Sequence, residues 1–415
     1  MGSHSIVLRQ SWTMLLWLLI VQILVAFAGR SIAPLSILIG YDLNLTNSQI
    51  GMLTAALFLG QALIAIPSGY LSDIISSRRM LILVATCVTG AFVAMSLLPY
   101  FGFVLLCITV AGLGYGSMHP TANKGIFFWF PEKRGIAMGI KQMGVTFGSA
   151  LAAIILLPLG EAYGWKASIL TSAALLITGG LLASCFYKDP AGISEIPAKD
   201  RGWKNLFSGL SDVAKNRPLV LISLAAMGLT GIQMTFNTYL VIYSHEFIGI
   251  SLTAAAGLLV ISEVAGSLGR IGWGIISDTL FQSRRIIVLI LVTLISAVLI
   301  TLISMLPAGT PYYVLAAIAA VLGFCIAGYN GIWMNSATEV VPKERVGLST
   351  GFTLTIGSCG VLFVPPLFGM MVDVSHSFQY AWWFLLALLM LVLISLKLAS
   401  GIEKQRRPKE AAHAD

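Results

Sequence analysis

Arg30 and Arg270 stand in stretches that otherwise hold almost only apolar residues, and a guanidinium among hydrocarbon side chains needs a chemical reason. Its planar fork donates two parallel hydrogen bonds, the geometry that a carboxylate accepts. An anion is therefore the ligand that two such groups would hold. Glu263 is the one acid deep in an apolar run. A desolvated carboxyl group suits a proton carrier. The alternative is a fixed ion pair with Arg270, seven residues further along the same helical face. His119 could carry protons near neutral pH, or simply bond one helix to another. Lys141 lies about 9 Å into its run, shallow enough to snorkel. With Gln142 it reads equally as a substrate contact, whereas Lys124 reads as structural.

Polar and aromatic side chains one helical turn apart extend this set. Tyr115 pairs with His119, Gln233 with Asn237, and Tyr329 with Trp333, with Asn330 and Asn335 nearby. Residues four apart share a helix face, so each pair can line a polar lumen. Helix-to-helix bonding is the plainer reading for any one of them, and for Asn335 it is preferred.

The elements that must position these groups follow from composition. Of the 415 residues, 57% are hydrophobic and 10% charged, whereas a soluble chain carries about a quarter charged residues. Soluble enzymes and disordered chains are excluded, and the solvent for most of this chain is lipid. A membrane helix needs about 20 mostly apolar residues. Such runs fall at 12–38, 49–71, 80–99, 103–127, 135–159, 166–186, 218–243, 251–277, 285–305, 312–338, 347–371 and 379–400. The expected fold is all-α, with twelve transmembrane helices in two six-helix halves, 1–186 and 218–400, which the family resemblance given below implies are pseudo-symmetric six-helix bundles. A polar linker, 187–217, joins them, and a tail, 401–415, follows. Arg9, Ala26 and Ala28 around the first run imitate a secretory signal. The run is long for that, and losing it would break the repeat described next.

Of the 25 lysines and arginines, Arg30, Lys124, Lys141 and Arg270 lie within runs and Lys166 in an outer loop; the rest fall in the termini and in loops on one side. That bias places both termini in the cytoplasm and accounts for the net charge of +8 without a nucleic-acid partner. Cys87, Cys107, Cys185, Cys325 and Cys359 all lie in apolar runs without metal-type spacing, and read as buried free thiols.

Two motifs repeat at half the chain length. Gly69 and Asp73, followed by Arg78 and Arg79, match Gly274 and Asp278, followed by Arg284 and Arg285, at an offset of 205. Pro131 and Arg134 match Pro342 and Arg345 at an offset of 211. An acid at a helix end can pair with loop arginines and with a helix dipole, as a latch that breaks when the halves rock. These motifs resemble those of the major facilitator superfamily across essentially the whole chain. The departures are Ile74 where that family has a base, Ser76 for a glycine, and one extra residue before the arginine pair.

The resemblance implies secondary transport by alternating access, with Gly69, Asp73, Arg78, Arg79, Asp278, Arg284, Arg285, Arg134 and Arg345 as gating residues. The segment from Arg30 to Pro34 is similar to the first helix of anion:cation symporters, where an arginine is associated with the substrate anion. Arg270, eight residues before Asp278, resembles the substrate arginine of oxalate/formate and monocarboxylate porters. The proline-containing element of drug antiporters in the run 135–159 and the element that ends the run 166–186 in sugar porters are both missing, as are P-loop, HExxH and GxSxG motifs.

The expected function is transport of a small organic anion, a monocarboxylate or related acid, with a proton as co-substrate, by a monomer in an inner or plasma membrane. No cofactor, metal or enzymatic activity is expected. Arg30, Arg270, Tyr115, His119, Lys141, Gln142, Gln233, Asn237, Tyr329, Asn330 and Trp333 would line the substrate site, and Glu263 or His119 would carry the proton. The alternatives are an anion exchanger, a drug/proton antiporter exporting amphiphiles, and a membrane sensor that does not transport.

Overall fold

The computed structural model describes residues 2–130, 134–189, 211–341 and 346–411, with side chains excepted at 2–9, 66, 69–70, 72–74, 134–136, 346–348 and 403–411. Among the described residues there are helices and connecting turns and no strand. Twelve helical segments are long and apolar enough to cross a membrane: Gln10–Leu43, Asn47–Ala65, Ser77–Leu97, Phe101–Trp129, Ala137–Tyr163, Trp165–Phe186, Arg217–Ile248, Leu252–Thr279, Arg285–Ser304, Tyr312–Glu339, Ser349–Ser375 and Phe378–Ile402. They are called spans one to twelve, and all twelve expected runs are among them.

Local chemistry fixes the span starts. Thr46 and Gln49 form a capping box, Thr46 N–H donating to Gln49 Oε1 at 3.0 Å and Gln49 N–H to Thr46 Oγ1 at 3.3 Å. Asn216 accepts from Leu219 N–H ahead of span seven, with Pro218 in the first turn. At span three, Ser77 N–H donates 2.9 Å to the carboxylate of Asp189, which lies just beyond span six. Between spans five and six the chain turns at Gly164 with φ 84°, a conformation glycine adopts without steric cost.

Contacts divide the chain into two compact units, Met1–Pro197 with Leu252–Val260, and Ala198–Ser251 with Ile261–Asp415. The start of span eight thus groups with the first unit, where Thr253 Oγ1 donates to Glu161 Oε2 at 2.9 Å. Both units are built on one packing device. A Cβ on Gly112 of span four would collide with the backbone carbonyl of Leu57 on span two, and a Cβ on Gly323 of span ten would collide with that of Ser262 on span eight. Leu57 and Ser262 are 205 residues apart, Gly112 and Gly323 are 211 apart. These are the offsets of the sequence repeat. Bare glycine lets helix backbones touch in the absence of a hydrophobic driving force between helices in lipid.

Besides π-helical turns at Ala152–Leu156 in span five and Tyr243–Ile248 in span seven, two spans are broken by a non-helical turn. Span one is a helix Gly2–Arg30, a turn at Ser31, and a helix Ile32–Leu43. Pro34 has no N–H to offer the Arg30 carbonyl, and this explains the break. Span ten is a helix Tyr312–Ile326 followed by Asn330–Glu339, interrupted at Ala327 to Tyr329.

Candidate functional site

In the first unit, the break puts Arg30 at the carboxyl end of a helix, where the macrodipole favours a cation. Its Nε donates to Tyr115 Oη at 3.0 Å, and its guanidinium carbon lies 5.6 Å from the centroid of the Phe58 ring. Tyr115 can come this close because residue 29 is glycine: a Cβ there would lie 2.6 Å from Tyr115 Cδ2. One turn further along span four, the His119 ring meets Tyr115 edge to face at 6.1 Å. Lys141 reaches in from span five, with Nζ 3.2 Å from His119 Nδ1 and donating to Asn123 Oδ1 at 3.3 Å. The result is one continuous chain of polar groups, Arg30, Tyr115, His119, Lys141 and Asn123.

Lys141 is 1% exposed, so the lysine does not snorkel. It turns inward instead, because two acceptors on span four are within its reach. Gln142, on the adjoining face of the helix, is exposed. Asn123 was missed from sequence, although Tyr115, His119 and Asn123 are spaced four apart; carrying the helical period one turn beyond the histidine finds it.

In the second unit, the interruption of span ten presents the Ala327 carbonyl to side chains. Arg270 Nε donates to it at 3.2 Å and Asn330 Nδ2 at 3.0 Å. Glu263 is buried and accepts from Asn237 Nδ2 at 2.7 Å. These bonds tie Arg270 to span ten and Glu263 to span seven. Asn330 also donates to Gln233 Oε1 at 3.4 Å and accepts from Trp333 Nε1 at 3.4 Å, while Tyr329 shares a 2.7 Å bond with Thr230. Gln233, Asn330 and Trp333 are thus brought together; Asn237 joins Glu263, and Asn335 is exposed. Thr230 and the Ala327 carbonyl were not legible in sequence, since an acceptor freed by a helix break carries no side-chain signature.

Of the expected gating residues, Asp278 and Arg285 are paired with each other. Arg285 lies 2.6 Å from the Asp278 carboxylate and 3.3 Å from that of Glu339, and donates to Ser277 Oγ at 3.1 Å. Arg284 is exposed and begins the next helix through its backbone; only the second arginine of the pair engages the acid. In the first unit Arg78 and Arg79 are exposed, and the Ser77 amide is capped by Asp189. The side chains of Gly69, Asp73 and Arg134, and the whole of Arg345, lie outside the described residues. Beside Asp189, Tyr187 is 1% exposed. Burial, and secondly the neighbouring carboxylate, push its phenol up, so it stays neutral.

Twelve apolar helices, with arginine, lysine and glutamate held inside them by polar contacts, make this an integral, multi-pass membrane protein. Residues 18–318 and 283–414 match the Major Facilitator Superfamily, and the chain belongs to that superfamily, which by kind is not a family of enzymes. The chain is 26% identical over 360 residues to the hexuronate transporter of Bacillus subtilis, covering 83% of this chain and 84% of that one. It is 25% identical over 296 residues to the probable sulfoacetate transporter SauU of Cupriavidus necator, 65% of each chain. Among solved structures, the nucleoside transporter NupG superposes with a TM-score of 0.78 at 14% identity, over 93% of this chain and 99% of that one, a likeness of fold alone.

Proposed function

We propose that the protein is a secondary transporter of small organic acids, working by alternating access, with proton coupling and with both termini in the cytoplasm. One observation carries the reading. Residues 1–189 contain five acids, Asp42, Asp73, Glu132, Glu161 and Asp189. Asp42 accepts from Trp165 Nε1 at 2.9 Å, Glu161 accepts from Thr253 Oγ1 at 2.9 Å, and Asp189 caps span three. Asp73 is at the last turn of a helix that ends at Ile74. The Arg30 guanidinium, bonded to Tyr115, stands in one chain of contacts with His119 and with the Lys141 ammonium, which is 1% exposed. Buried positive charge is costly unless an anion comes to it, and a substrate carboxylate or sulfonate meets that need. Relatives named as a hexuronate transporter and as a probable sulfoacetate transporter support the reading.

Arg270 gives the second unit its own cation, and the Asp278–Arg285–Glu339 cluster is suited to hold one conformation until the substrate changes the balance. The test is a thermal-shift and binding screen of the purified chain against D-glucuronate, sulfoacetate and lactate, with the methyl esters or amides of glucuronate and lactate as uncharged controls. The acids should stabilise the protein and the controls should not. Stabilisation by neutral amphiphiles irrespective of charge would overturn the reading in favour of an exporter.

A further inference from the structure

We propose that the proton linked to anion binding is held by the Lys141–His119 pair of the first unit. This rests on the reading that an organic anion binds there, and it names the groups that would make that binding proton-coupled.

Two basic nitrogens stand 3.2 Å apart, with the lysine 1% exposed. With one proton on the pair, Lys141 donates and His119 Nδ1 accepts, so the neutral imidazole carries its own hydrogen on Nε2. A second proton would place two positive charges at hydrogen-bond distance away from water, and like charges so close oppose each other's protonation. An anion drawn to the pair removes that opposition. Anion and second proton then bind better together than either does alone, and the linkage is reciprocal. The proton comes from solvent and binds to an imidazole nitrogen; no bond other than that N–H is made.

The groups facing the pair agree with this. Span one contributes Arg30, connected through Tyr115. Span four contributes Tyr115 and His119, with Lys124 next along and in Coulomb range of Asp189. Span five contributes Lys141 alone at this depth, its remaining titratable groups, Glu161 and Tyr163, lying at the far end. Glu161 aside, the charged groups named here on spans one and five, Arg30 and Lys141, are both cationic. Asn123 Oδ1 accepts from the same ammonium and fixes it toward the histidine. Glu263, the other candidate carrier, lies in the second unit, where Asn237 donates to it.

The experiment is titration calorimetry of the full-length protein with D-glucuronate, and with sulfoacetate, in buffers of differing ionisation enthalpy across the pH range in which histidine titrates. Wild type should take up a proton with the anion, and its Kd should rise with pH by up to tenfold per unit. His119→Asn keeps an acceptor near the Nδ1 position and has no titrating nitrogen. It should bind the anion without proton uptake and with a Kd that no longer follows pH; His119→Gln serves the same purpose should the asparagine variant not fold. Proton uptake that survives in both variants, or that is lost in Glu263→Gln instead, would overturn the proposal, as would anion binding by wild type with no linked proton. If neither acid binds wild type, the anion-transport reading falls and this proposal falls with it.

Discussion

At the scale of single residues, the chain uses the chemistry of each cation differently. Arg30 is held by a side bond from Nε to Tyr115 and by the Phe58 face, contacts that orient a planar fork. A lysine there would keep the charge and lose the fork. Arg30→Lys is therefore expected to bind the acid at least about tenfold more weakly, a loss of about 1.4 kcal/mol, and Arg30→Gln to abolish binding. Equilibrium binding of radiolabelled glucuronate checks both, and equal affinity for Arg30→Lys and wild type would remove the bidentate assignment. Arg30 and Arg270 were legible in sequence because charge inside an apolar run is rare and conspicuous. Whether Lys141 turned inward was not, since the lysine stem reaches water or a neighbouring helix equally well. The outcome depended on His119 and Asn123 of another span, whose distance only the packed helices set.

At the scale of elements, helix number and place follow from apolar run length alone, because lipid leaves the backbone no other partner than itself. The breaks in spans one and ten were less visible. Pro34 gave a signal for the first, whereas nothing in Ala327-Gly328-Tyr329 demands the second, and its evidence is the set of side chains that use the Ala327 carbonyl. The glycine contacts supply a test of the packing argument. Gly323→Val should force spans eight and ten apart at a cost of about 1–3 kcal/mol, read as a lower melting temperature in detergent. Gly90→Ala, where a Cβ meets nothing within 4 Å, should be neutral or raise stability by up to about 1 kcal/mol through helix propensity. Equal effects of the two substitutions would show that the glycine contact carries no packing role.

At the scale of the whole molecule, the repeat is one scaffold carrying two different sets of polar groups. The offsets that align the loop motifs also align Leu57 with Ser262 and Gly112 with Gly323, so the backbone contacts are shared. The chemistry between them is not: the offset of 211 sets His119 opposite Asn330, a titratable ring in one unit and a neutral amide in the other. A repeat read from motifs therefore locates the frame, while the function resides where the two copies differ. That difference explains why sequence yielded the architecture almost completely and the site only in part. The roles of individual polar residues depend on partners contributed by neighbouring spans, and a single chain of letters does not say which neighbours touch.

The Asp189 carboxylate bonded to the Ser77 amide means that the stretch joining the units is already fastened to the first of them where it begins. Someone dividing the gene to produce spans one to six and spans seven to twelve as separate polypeptides should cut after this aspartate. A break placed downstream of it should let the upstream fragment retain its third span's cap and reassemble with its partner when both are co-expressed. A break placed upstream, between Phe186 and Asp189, should strip that amide of its acceptor and lower the yield of the reconstituted pair on size-exclusion chromatography.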